Sequence, residues 1–99
     1  IPIPLVSMWL YFASIIISKS QDLEYAKKIL TEAIHHHPDN DLAHNNLAHV
    51  LAELGDIKEA IKVAEKAVSL GGPLLEDTKA TLKEIELKER NLKLRSKKK

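Results

Sequence analysis

Residues 22–38 and 56–72 are two versions of one segment. Set one above the other, Asp22 falls on Asp56, Leu23 on Ile57, Ala26 on Ala60, Ile29 on Val63, Ala33 on Ala67 and Ile34 on Val68, always at an offset of 34 residues. A chain that repeats at this interval is built from stacked supersecondary units, each unable to bury its apolar face alone. That regularity limits the fold to an array of near-copies.

Within each unit the apolar residues follow a helical rhythm. Ala43, Leu47, Val50, Leu51 and Leu54 form one stripe at spacings of one, three and four. Ile57, Ala60, Ile61, Ala64, Ala67 and Val68 form a second, and Leu23, Ala26, Leu30, Ala33 and Ile34 a third. Composition agrees: Leu, Ala, Ile, Lys and Glu dominate, while three glycines and four prolines leave few breakers. Gly55 suits the left-handed residue that ends one helix, and the Asp56 carboxylate is placed to accept from the free N–H groups that begin the next. Pro38-Asp39-Asn40 ends the preceding helix and offers Asn40 as a cap. The unit is therefore helix, tight turn, helix. Alanines 26, 33, 60 and 67 are expected where helices approach most closely, and larger residues there would cost roughly 1–3 kcal/mol by overpacking.

These residues resemble a tetratricopeptide repeat. His44-x2-Leu47-Ala48-x2-Leu51 occupies the family's first-helix pattern, and Ala60-x3-Ala64 with Ala67 the second-helix pattern, with Gly72-Pro73 at the boundary. An earlier copy reads Leu10-x2-Ala13-Ser14-x2-Ile17, then Ala26-x3-Leu30, Ala33 and Pro38. The pattern departs at His44, where the family places a bulky apolar side chain, and at Ala64, where a larger residue is common. The resemblance implies an all-α protein, a short right-handed α-solenoid of two helix hairpins. Pro73 to about Arg95 adds a helix with Leu75, Thr78, Leu82, Ile85 and Leu92 on one stripe and Lys and Glu elsewhere, as a C-terminal capping helix requires. The expected organisation is an extension at 1–6, repeats at 7–40 and 41–72, the cap at 73–96 and a basic tail at 97–99. Two repeats are fewer than the three or so usually needed, so the cap, self-association or a further upstream repeat must complete the core.

Five histidines raise the question of a metal. His35, His36 and His37 are consecutive, so on a helix they point about 100° apart and cannot converge on one ion. His44 and His49 are five apart, not the i, i+4 spacing of helix-borne ligand pairs. The triple histidine instead reads as the last turn of a helix, whose dipole favours partial positive charge. No metal or other cofactor is expected. The absence of cysteine removes thiolate chemistry and leaves the compartment open, with the cytoplasm favoured and membrane association the alternative. No nucleophile–base pair, glycine-rich phosphate loop or apolar carboxylate pair is present at a recognisable spacing, so the chain reads as a non-enzyme.

The resemblance further implies that first helices line a concave groove. In the second repeat the groove positions are Leu42, Asn45, Asn46, His49 and Glu53; in the first they are Met8, Tyr11, Phe12 and Ile15. Asparagine carries a donor and an acceptor that can pair with a peptide backbone whatever its side chains. Asn46 holds the asparagine-ladder position of superhelical arrays, but its counterpart is Phe12. The basic clamp for C-terminal carboxylates is absent, with Tyr11 and Ile15 at its first-repeat sites. The plainer reading of Asn45 and Asn46 is a solvated helix surface.

Net charge +1 hides a gradient: residues 1–18 carry no charged side chain, while 79–99 are rich in Lys and Arg. "SMWLYFASIII" is apolar on every face, as a covered helix is. Its 13 residues from Leu5 to Ile17 fall short of the ~20 that span a bilayer, and Pro2 and Pro4 interrupt it upstream. A signal peptide is not expected, since the stretch aligns with the repeat and lacks a basic leader. An upstream repeat, a second copy bound through residues 5–17 or a hydrophobic ligand is the expected cover, with membrane contact the lesser alternative. The basic end lacks the aromatics of a single-strand binder, so no specific nucleic acid is expected. The function read from the sequence is an interaction module holding a protein or peptide in its groove or associating with itself. The alternative is the soluble end of a membrane-anchored protein.

Overall fold

The computed structural model describes residues 23–97, and among these all regular structure is helical. Four helices follow in order: α1 (Leu23–His36), α2 (Asp41–Glu53), α3 (Ile57–Leu70) and α4 (Leu75–Lys97). The links are only a few residues long, which makes consecutive helices neighbours. Each helix packs on the next, and α2 also meets α4, so α2 is the central helix. Expectations for Met8, Tyr11, Phe12, Ile15 and the rest of the first helix lie outside the described residues.

Local chemistry sets the helix ends. The N–H of His37 reaches the Ala33 carbonyl at 2.9 Å, and Pro38 follows. Asn40 then caps α2, its Oδ1 accepting from the Ala43 N–H at 3.0 Å. At the far end of α2, Gly55 donates to the Ala52 carbonyl and Asp56 to that of Leu51, at 3.1 and 2.9 Å. This Schellman closure needs a left-handed residue, which Gly55 supplies at φ +89°. Gly71 ends α3 in the same region of backbone space, at φ +60°.

One expected cap is corrected. Asp56 precedes α3 but its carboxylate accepts no capping bond. With so short a link, Asp56 both closes α2 through its N–H and opens α3 through its carbonyl, which accepts from Ala60 at 3.0 Å. Its backbone, at φ −88° and ψ 67°, is pulled away from the extended conformation that aims a side chain at the next turn.

Small residues fill the interior. Ala26, Ala43, Ala48, Ala60, Ala64 and Ala67 are all buried, around Leu30 and Val50, so the helices approach on methyl groups. Ala33, expected at a close approach, is only half-buried near the end of α1. Thr78 is buried too, its hydroxyl donating to the Leu75 carbonyl at 3.0 Å. His44, the departure from the family pattern, is buried; its Nδ1–H donates to the Asn40 carbonyl at 2.8 Å. The imidazole thus fills an apolar position while its polar atom is satisfied within one turn.

The stripe read along α4 holds only in its first half. Thr78, Thr81 and Ile85 are buried, but from Glu86 onward no residue is. Leu92, expected in the core, is 44% exposed, because no described helix covers it.

Candidate partner-binding groove

Leu42, Asn45, Asn46, His49 and Glu53 share one side of α2, within an arc of about 100° at 100° per residue. Leu42, Asn45 and His49 are half-buried and Glu53 is exposed. Asn46 is buried, with 8% of its surface accessible, so the reading as a solvated surface residue is corrected for it. The helices around α2 cover more of its circumference than its sequence pattern indicates.

The two asparagines carry unmet polar atoms. Asn45 Oδ1 and Asn46 Nδ2 are both buried without a hydrogen-bond partner among the described residues. Leaving such a group unsatisfied costs about 1–3 kcal/mol, so the pair is held against its own chemistry. One is an acceptor and the other a donor, on adjacent residues of the same stripe. That is the complement of a peptide N–H and C=O.

Toward the C-terminal end of α2 the second wall is α4. His49 Nε2 lies 3.2 Å from Thr81 Oγ1, and Lys88 Nζ donates to the Ala52 carbonyl at 3.1 Å. Between them opens a cleft of about 480 Å³. His49, Ala52 and Glu53 line it from α2, and α4 supplies Ile85 and Leu92 with Glu84, Lys88, Asn91 and Arg95 among the polar groups. Of the positions expected in the groove, His49 and Glu53 thus meet α4, while the first-repeat positions lie outside the described residues.

The wall formed by α4 was not foreseen, although a signal for it exists. Carried forward once more, the 34-residue offset sets Asp41 on Leu75, the first residues of their helices. It also sets His44 on Thr78 and Leu51 on Ile85, all four buried. By register, α4 is a first helix like α2.

The remaining histidines stand apart from the groove. His35 and His36 occupy the last turn of α1 with rings edge to face at 5.6 Å, and with His37 they are exposed. Among the described residues no three His, Cys, Asp or Glu side chains are grouped to hold a metal ion, and no helix is long and apolar enough to cross a membrane.

A family model described as a tetratricopeptide repeat matches residues 19–70, slightly more than half of the chain. No curated protein and no solved structure matches it.

Proposed function

The chain belongs to the tetratricopeptide repeat family, whose members are in general protein–protein interaction modules, and from that premise we propose that it binds an extended peptide segment of a protein partner along α2. One observation carries this reading: the unmet acceptor Asn45 Oδ1 and the unmet donor Asn46 Nδ2 stand at the two edges of one stripe of α2. An extended backbone presents an N–H and a C=O at every residue, so a strand that displaces what covers these two buried atoms satisfies both amides and recovers what the free protein loses. The body of a partner helix cannot do this, because away from its two ends its backbone groups are already bonded to one another. Leu42 adds an apolar contact at the start of the stripe. The function is scaffolding without catalysis.

Affinity capture with the wild-type chain beside the Asn45→Ala, Asn46→Ala double variant tests the reading. We expect partners of the wild type to be lost from the variant while its circular dichroism stays helical. Recovery of the same partners by both proteins overturns the proposal.

A further inference from the structure

We infer that the outer face of the second half of α4 rests on the surface of a membrane that carries anionic lipid. This face follows a repeat of seven residues, an interval unrelated to that of the array. Lys83, Arg90 and Lys97 recur at seven, and so do Glu86 with Lys93 and Leu87 with Leu94. At 100° per residue these side chains fall within an arc of about 120°, and no other residue between 83 and 97 shares it. All of them are exposed. The buried Thr78, Thr81 and Ile85 lie on the other side of α4, so the face points away from the packed helices.

Its charge is one-sided, with four basic residues against Glu86 alone. Lys93 pairs with Glu89 at 3.8 Å, but Lys83 and Arg90 have no ion-pair partner among the described residues. Leu87 and Leu94 stand between the basic residues at 45 and 51% exposure, Leu87 at the edge of the cleft against α2.

The order of these residues selects the partner. Lys83, Leu87, Arg90, Leu94 and Lys97 follow one another at spacings of four and three, as along the seam of a coiled coil. A partner helix seated there would bury a cation at every second core position, a desolvation cost that two leucines do not offset. A nucleic acid answers the cations and leaves the leucines in water. A bilayer surface takes both. The leucines enter the boundary between headgroups and acyl chains, while the Lys and Arg stems reach back to the lipid phosphates. The line runs roughly 21 Å and is nearly straight, which suits a flat surface. Such contact is peripheral: it lays α4 along the membrane and needs no spanning segment. The inference rests on α4 alone and stands whether or not a peptide binds along α2.

Co-sedimentation of the full chain with vesicles tests it, using phosphatidylcholine alone and phosphatidylcholine with about 30% phosphatidylserine. At low salt the wild type is expected to bind the anionic vesicles at least about tenfold more tightly than the neutral ones, and to lose that margin near 0.5 M salt, roughly. Lys83→Glu with Arg90→Glu should weaken binding to anionic vesicles at least about tenfold. Leu87→Ala with Leu94→Ala leaves every charge in place and should weaken it at least about fivefold. These are exposed helix positions, and Glu and Ala are strong helix formers, so both variants are expected to stay folded, which circular dichroism checks. Absent binding, equal binding to the two kinds of vesicle, or a charge-reversed variant that binds like the wild type overturns the inference. So does a loss confined to the charge-reversed variant, because it marks a contact that any polyanion can make.

Discussion

The imidazole of His49 and the hydroxyl of Thr81 meet at 3.2 Å, joining α2 to α4 across 32 residues of chain. Thr81 Oγ1 also donates back to the Asp77 carbonyl at 3.1 Å, which leaves its oxygen free to accept from His49 Nε2. A residue of the candidate groove is thereby tied to the helix that lines the other side of the cleft.

That tie predicts coupled losses. Thr81→Val and His49→Ala should each lower stability by about 1 kcal/mol, the net value of one hydrogen bond. In urea denaturation the double variant should lose less than the sum, with a coupling of about 0.5 kcal/mol or more. Strictly additive losses would show that the two side chains do not communicate.

The two helix starts on either side of Gly55 should respond unequally. Asn40→Ala removes a bond of 3.0 Å to the Ala43 N–H and should cost about 1 kcal/mol. Asp56→Ala removes no capping bond and should cost only a few tenths of a kcal/mol, from lost attraction to the helix dipole. Equal losses in the same urea titration would mean that Asp56 caps α3 in solution.

Asp41 and Gly72 form a second long-range contact. The Leu74 N–H reaches Asp41 Oδ2 at 3.4 Å, and a Cβ on Gly72 would collide with that oxygen and come within 3.0 Å of Asp41 Cγ. Gly72→Ala should therefore lower the melting temperature by several degrees, for a loss of about 1 kcal/mol. In an Asp41→Ala background the same substitution should be nearly silent. A full penalty in both backgrounds would place the strain elsewhere.

Asn46 separates stability from binding. Asn46→Leu replaces a buried amide that has an unmet donor with an apolar side chain of similar size, and should stabilise the free protein by about 1 kcal/mol. The same change should abolish partner capture. A variant that is both destabilised and still binding would remove the basis for assigning Asn46 to the groove.

The local punctuation of this fold was legible because it depends on neighbouring residues alone. Asn40 caps a helix through its own side chain, Gly55 takes a positive φ that other residues resist, and Pro38 follows the end of α1. The alanine period was equally plain, since helix packing repeats wherever the small residues do. Asp56 failed as a cap for a reason of the same scale: its backbone was already committed to closing α2.

The amino-acid order by itself determined that the chain is helical, repeats every 34 residues and turns at Asn40, Gly55 and Gly72-Pro73, because hydrogen bonding and backbone sterics act over a few residues. Only the tertiary arrangement decided that Asn46 is buried, that His49 is bound to Thr81, and that α4 lines the cleft beside His49. Burial depends on how many helices surround a residue. With α1, α3 and α4 all packed on α2, polar side chains can be enclosed at angles that no stripe of hydrophobic residues marks.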